Sequence, residues 1–99
     1  MNYIKEINAF YIITQTNPLS PSASASASLL WHTLMHINNQ TRWKPSFTVA
    51  VSILKTKTGV SESTIKRARD ELQTKGFIHY HSRGGNQAAE YQMVSLWSI

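Results

Sequence analysis

The sequence predicts a mainly helical α+β fold in which four helices precede a small β-hairpin. Apolar residues recur at helical spacing through most of the chain up to Lys75. Glycine or proline stands near the ends of these segments, and after Gly76 the apolar pattern alternates at every second residue. Because 99 residues is a usual size for one domain, we expect a single domain over residues 1–99.

The first helix is predicted over residues 3–16. Its apolar stripe consists of Tyr3, Ile4, Ile7, Phe10 and Tyr11. Asn17-Pro18 ends the helix, because proline disfavours helical backbone in the residue that precedes it. Ile12 and Ile13 lie off the stripe and predict a second contact surface.

A second helix, over residues 24–38, is predicted to begin inside the Ser-Ala repeat of residues 22–28. The repeat has low complexity and is also compatible with a flexible linker. It runs, however, into the apolar segment Leu29-Leu30-Trp31, and alanine favours helix while serine can cap one. We therefore expect a helix that is buried on most sides.

Residues 49–58 and 61–75 predict two helices joined by a tight turn. Gly59 stands where a helix C-terminus favours positive φ, and Ser61 stands where an N-cap oxygen accepts a backbone N–H. The second of these helices has a narrow apolar stripe, made of Ile65, Ala68 and Leu72.

Residues 77–95 predict a β-hairpin whose loop contains Arg83-Gly84-Gly85-Asn86. The glycines either let Arg83 approach a phosphate or serve only to form the turn. Phe47 and Thr48 predict either a short strand or a helix entry with Thr48 as the N-cap. The order of helix, turn, capped helix and hairpin is that of a winged helix-turn-helix, here with an extra N-terminal helix.

Basic residues concentrate in the part of the chain that holds this predicted motif. Residues 42–83 contain nine Lys and Arg against three Asp and Glu, in a chain of net charge +5. Such a distribution favours a polyanionic partner, and a B-form major groove admits one helix. We therefore predict double-stranded DNA as the partner, with residues 61–75 as the recognition helix. The alternative is a basic face that is merely solvated.

The predicted DNA-binding residues lie on the outer face of this helix, at its N-terminus and in the hairpin loop: Ser61, Ser63, Thr64, Lys66, Arg67, Arg69, Arg83 and Asn86. Lys66 and Arg67 can donate to base edges or phosphates. Arg69 lies nearer the apolar stripe, so we expect it to reach a phosphate or to pair with a carboxylate. Asp70 would be repelled by phosphates unless it accepts from cytosine or pairs with Lys66, one turn earlier.

Catalytic and metal chemistry is not predicted. The chain has no cysteine and only five Asp and Glu, which argues against thiol, paired-carboxylate and Ser-His-acid catalysis. His32 and His36 share a helix face, and His79 and His81 share a strand face, but neither pair has an evident third ligand. We expect no enzyme activity and no cofactor. Without an apolar run of membrane-spanning length or a signal-peptide pattern, a cytoplasmic location is expected.

Six segments carry a family resemblance: Met1 to Ile7, Ala9 to Tyr11, Asn17 to Ser20, Leu30 to Asn39, Thr58 to Arg69 and Ser82 to Gln87. Together they resemble the replisome-organiser proteins of phages of low-GC Gram-positive bacteria and the N-terminal domain of DnaD-type primosomal proteins. The resemblance implies a winged helix that acts in the initiation of DNA replication, recruits the replicative helicase and self-associates as a homodimer or higher oligomer. It also implies that the chain is phage- or prophage-encoded. The Ser-Ala repeat departs from the family pattern, and longer members continue into a C-terminal domain, so the chain is either a fragment or a short relative.

Two other functions stay open on the sequence. One is a transcriptional repressor, since the fold does not distinguish a repressor from a replication protein. The other is a protein–protein module that oligomerises through the first helix by Tyr3, Ile7, Phe10, Tyr11 and Ile13. Trp43 and Trp97 flank the predicted elements and are expected to be exposed or at an interface. The other aromatic residues of the predicted elements, Tyr11 among them, are expected in the core.

Overall fold

Among residues 1–85 and 87–97, which the computed structural model describes, the chain forms four α-helices and a three-stranded antiparallel sheet. The elements are α1 (Tyr3–Thr16), α2 (Ser24–Gln40), β1 (Phe47–Val49), α3 (Val51–Thr58), α4 (Glu62–Thr74), β2 (Ile78–His81) and β3 (Ala89–Met93). This architecture confirms the predicted α+β fold of winged helix-turn-helix type. No helix among the described residues is both long and apolar enough to span a lipid bilayer.

The sheet contains one strand more than the predicted hairpin. Its order is β1-β3-β2, with Phe47 opposite Tyr91 and Ile78 opposite Met93. Thr48 lies in β1 opposite Glu90, so its prediction as the N-cap of α3 is wrong. The strand forms because its alternating pattern buries both flanking apolar side chains on the core face while Thr48 faces solvent.

Helix α2 lies at the centre of the core and packs against α4, α3 and α1. The Trp31 ring is fully buried and stacks on Phe10 of α1, with ring centroids 4.0 Å apart. Ala27, from the Ser-Ala repeat, is also fully buried. Most of the repeat thus belongs to α2, and the interpretation of the repeat as a flexible linker is wrong. Its small side chains let this end of the helix pack closely against the core.

A buried carboxylate fastens α1 to the segment that follows β3. Glu6 is fully buried, and its two oxygens accept from the Ser95 hydroxyl at 2.6 Å and from the Leu96 amide at 2.7 Å. Hydrogen bonds to a charged acceptor offset much of the cost of removing it from water. This anchor joins the extra N-terminal helix to the end of the winged-helix unit.

Candidate nucleic-acid interface

The turn between α3 and α4 has the geometry that its sequence predicts. Gly59 ends α3 in the left-handed region, with φ of 75°, and its amide donates to Lys55 O at 2.8 Å. Ser61 is the N-cap of α4, and its Oγ accepts from the Thr64 amide at 3.3 Å. These two local features fix where one helix stops and the next begins.

The inner face of α4 is held by packing and by hydrogen bonds from other segments. The predicted stripe is buried, with Ile65 and Ala68 1% exposed and Leu72 fully covered. Near the C-terminal end, Glu71 accepts from the Ser20 amide at 2.7 Å and from its hydroxyl at 3.0 Å. The helix is thus braced in a single orientation, which is what a rigid recognition element requires.

The outer face of α4 is exposed and carries hydrogen-bond donors. Ser63, Lys66 and Arg67 are all exposed. Lys66 Nζ lies 3.1 Å from the Glu62 carboxylate, and Arg67 Nη2 donates to Thr64 Oγ1 at 3.3 Å. Both contacts are short-range surface contacts, so a nucleic-acid phosphate can replace them at little cost.

Asp70 has a different partner from the one expected. The pairing with Lys66 is wrong, because Lys66 contacts Glu62 and the Asp70 carboxylate accepts a hydrogen bond from the Tyr80 hydroxyl of β2. This hydrogen bond, together with burial, raises the pKa of Tyr80 above its ordinary value. The carboxylate is therefore engaged with the sheet.

Arg69 belongs to the packed interior and not to the outer face. The residue is 9% exposed, its Nη1 donates to the Tyr91 hydroxyl at 3.3 Å, and its guanidinium lies 4.6 Å from the Tyr80 ring centroid. The expected carboxylate partner is thus replaced by a hydroxyl and an aromatic ring. Burial acts to lower the pKa of Arg69, but the interactions with Tyr91 and Tyr80 outweigh it and raise that pKa.

The wing is the loop between β2 and β3. Gly84 and Gly85 both have positive φ, 78° and 55°, which glycine adopts without steric cost. Arg83 is exposed, but its Nε donates to Ala88 O at 2.8 Å and so crosses the base of the loop. The predicted contact residue Asn86 lies outside the described residues.

The sequence profile of a helix-turn-helix domain family matches residues 24–78, which is more than half of the chain. The chain belongs to this helix-turn-helix domain family. No curated protein and no solved structure matches the chain. The matched segment runs from the start of α2 to the first residue of β2 and so includes both helices of the motif. Membership of the family supports DNA binding in general.

The helix-turn-helix domain contains a cleft that the sequence did not predict. It has a volume of about 380 Å³ and lies where the N-terminus of α3, the side of α4 and the base of the wing meet. Its lining includes Val51, Ser52, Glu62, Lys66, Arg69 and Gln87. We call this feature the wing cleft. It escaped prediction because its walls come from segments far apart in the sequence.

The predicted oligomerisation residues all lie on α1 and differ in their exposure. Phe10 is a core residue at 4% exposure, so its assignment to an interface is wrong. Tyr3 packs edge-on against Trp43 at 5.6 Å, and Ile7 and Ile13 are half-buried against the core. Tyr11, by contrast, is 69% exposed, and its placement in the core is wrong.

Two further apolar residues of α1, Ile4 and Ile12, are exposed at 81% and 59%, respectively. Trp97 is 45% exposed and lies beneath Lys5, whose Nζ is 4.3 Å from the ring centroid. The exposed large apolar side chains of α1 are thus Ile4, Tyr11 and Ile12, which we call the α1 patch. Only one member of the predicted set, Tyr11, belongs to it.

The structure also shows the surroundings of the two histidines of α2. His32 and His36 are both exposed, and His32 Nδ1 lies 2.8 Å from Ser28 O, to which it donates because a carbonyl oxygen only accepts. Within the described residues, no group of three or more metal-ligating side chains comes together. The His32 ring is therefore engaged with the backbone of its own helix.

Proposed function

We propose that this domain binds double-stranded DNA with α4 in the major groove, as the DNA-binding module of a replication-initiation protein of the replisome-organiser type. The observation that carries the proposal is the contrast between the two faces of α4. Its inner face is braced by buried apolar packing, while its outer face presents Ser63, Lys66 and Arg67 to solvent. Base edges and phosphates accept hydrogen bonds, and a rigid, exposed helix holds its donors where such acceptors can reach them.

Two acidic side chains of α4 already have partners within the domain. Asp70 is engaged by the Tyr80 hydroxyl, and Glu62 contacts Lys66 near the start of the helix. An exposed ion pair such as the one between Glu62 and Lys66 contributes about 0–1 kcal/mol. DNA phosphates can therefore draw Lys66 away at small cost.

The replication role rests on the resemblance to phage replisome organisers and DnaD-type proteins, which extends through α1, α2, the helix-turn-helix and the wing. Recruitment of a replicative helicase, a phage or prophage origin and action in the host cytoplasm belong to the same proposal. A transcriptional repressor would use the same face of α4. The location of the bound DNA separates the two functions, because a replication protein binds at an origin and a repressor at a promoter.

The proposal is tested by selecting duplexes that bind the protein and probing the complex with dimethyl sulfate. Methylation of guanine N7 reports the major groove, and methylation of adenine N3 reports the minor groove. We expect protection at guanine N7 in the wild-type complex and its loss when Arg67→Ala is tested at the same occupancy. Protection confined to adenine N3 would contradict the proposed docking.

Self-association through the α1 patch is a second candidate function, which can accompany DNA binding. The specific observation is the high exposure of Ile4, Tyr11 and Ile12 on one helix. A soluble domain normally exposes apolar residues singly, and a group of them favours an interface. Sedimentation of the intact chain over a range of concentrations tests this candidate, which predicts a homodimer or higher oligomer.

A further inference from the structure

The wing cleft brings together cationic and amide donors from two elements. Lys66 and Arg69 line it from α4, and Val51 and Ser52 line it from the N-terminus of α3. The base of the wing closes the opposite side. Lys66 also belongs to the outer face of α4, whereas Arg69, Val51 and Ser52 do not, and all four line this one cleft.

Arg69 has unused hydrogen-bonding capacity at this cleft. Its Nη1 donates to the Tyr91 hydroxyl. Its Nε is buried, yet it has no hydrogen-bond partner among the described residues. A buried guanidinium donor without an acceptor costs free energy comparable to a lost charged hydrogen bond. Small movements of the side chain would let an anion in the cleft accept from it.

The N-terminus of α3 adds backbone donors. Ala50 is the N-cap and makes no side-chain capping bond, while its carbonyl accepts from Ile53 and Leu54 at 3.1 and 3.2 Å. Val51 and Ser52 occupy the first two helical positions, whose N–H groups have no acceptor inside a helix. Such amides, aided by the helix dipole, favour an anion.

We propose that the wing cleft binds a phosphate group, with Arg69 and the Val51 and Ser52 amides as its donors. Lys66 joins them by exchanging the Glu62 carboxylate for the phosphate. The volume of about 380 Å³ accommodates a phosphate together with an attached sugar. The phosphate is either part of a DNA strand, in which case the site extends the proposed function, or part of a free mononucleotide or inorganic phosphate.

The first experiment is a titration of the intact protein with inorganic phosphate at constant ionic strength, monitored by ¹⁵N nuclear magnetic resonance. We expect saturable shifts of the Val51 and Ser52 amides and of the Arg69 Nε–H. A sodium chloride titration serves as the reference. Absence of saturable shifts at these groups, with both phosphate and duplex DNA, overturns the proposal.

Val51→Pro provides a variant that removes a donor without threatening the fold. Proline is well tolerated at the first helical position, and the preceding residue Ala50 already has extended backbone, with φ of −72° and ψ of 148°. The matched control is Val51→Ala, which trims the side chain but keeps the N–H. We expect Val51→Pro to weaken phosphate binding about tenfold relative to Val51→Ala. Equal affinities of the two variants overturn the proposal.

Two substitutions on α4 give effects of opposite sign. Arg69→Met keeps the length and apolar stem but removes the donors, and we expect it to abolish the saturable shifts. Glu62→Gln removes the lining carboxylate and frees Lys66, and we expect tighter phosphate binding. Weaker binding in Glu62→Gln contradicts the assigned role of Lys66, even if Arg69→Met fails to fold.

The source of the phosphate is distinguished by a second titration, with a short duplex whose ends lack phosphate. If the duplex shifts the same groups and Val51→Pro weakens it, the ligand is a strand phosphate. If inorganic phosphate or thymidine monophosphate shifts these groups and the duplex does not, the ligand is a free phosphate compound and not a DNA strand. The phosphate arm contains no DNA, so it can fail while DNA binding by Lys66 and Arg67 persists, and it can succeed if DNA binding fails.

Discussion

Removing both exposed cations from the outer face of α4 tests the proposed DNA contact most directly. The perturbation is the double substitution Lys66→Ala with Arg67→Ala. Its cost to stability is small, because the Lys66–Glu62 pair leaves both side chains more than half exposed, at 54% and 55%. Since exposed pairs contribute about 0–1 kcal/mol, the melting temperature should hardly change.

The loss of DNA affinity follows from the number of phosphate contacts removed. Each contact changes the slope of log K against log salt concentration by about 0.9, so two contacts account for about 1.8 of the slope. If the two contacts contribute no affinity at a reference of about 1 M salt, a slope of about 1.8 corresponds to an affinity loss of about 60-fold at about 0.1 M salt. A base contact by either residue would add a sequence-dependent loss to this value.

Fluorescence anisotropy of a labelled duplex, repeated over a salt series, measures both the affinity and the slope. The matched control is Lys55→Ala with Lys57→Ala, which removes the same charge from exposed positions of α3. We expect the control to retain most of the wild-type slope. An unchanged slope in the α4 variant, or an equal decrease in both double variants, would refute α4 as the contacting element.

Three further predictions concern capping, ionisation and association. Ser61→Ala removes the N-cap of α4 and should lower the free energy of unfolding by about 1 kcal/mol, as measured by urea denaturation. Tyr80→Phe loses the hydrogen bond to Asp70 and should destabilise the protein by about 1 kcal/mol near pH 8. Because the pKa of Tyr80 is raised by folding, its stabilising contribution is present below pH about 10 and decreases as the pH rises through the folded pKa. The difference between wild type and Tyr80→Phe should therefore narrow in denaturation near pH 11. Ile12→Glu places a charge on the α1 patch and should convert the oligomer to monomer in sedimentation without unfolding it, since Ile12 is 59% exposed.

Each of these three predictions has its own control. Thr74→Ala removes a hydroxyl from an exposed position of α4 and should change stability much less than Ser61→Ala; equal losses would argue against the cap. A difference between wild type and Tyr80→Phe that stays constant up to high pH would contradict the raised pKa. Ser22→Glu adds the same charge as Ile12→Glu at an exposed site outside α1 and should leave the oligomer intact. A monomeric wild-type chain at high concentration would refute self-association.

The local features of the helix-turn-helix could be predicted from the sequence because they depend on interactions over a few residues. Gly59 ends α3 and Ser61 caps α4 through contacts with residues three or four positions away. The burial of Ile65 follows from the helical period in the same way. These signals also predicted which face of α4 is free.

The interactions of several polar residues were decided only by the tertiary structure. Arg69 lies on the flank of the helix, and no local rule indicates that the Tyr91 hydroxyl, on β3, will accept a hydrogen bond from it. Asp70 had a plausible partner one turn away in Lys66, but the Tyr80 hydroxyl approaches from β2 and takes its place. In each case the competing partner is distant in the sequence, so its presence depends on how the sheet packs against α4.

The sequence by itself determined the element order, the helix-turn-helix and the basic, donor-bearing face of α4. Periodicity, capping and turn chemistry depend on neighbouring residues, so they can be predicted without knowledge of the fold. Only the tertiary structure decided that β1 joins the sheet, that Phe10 is buried while Tyr11 is free, and that the wing cleft exists. These features arise where separate elements meet, because burial and enclosure are properties of the packed chain and not of any one segment.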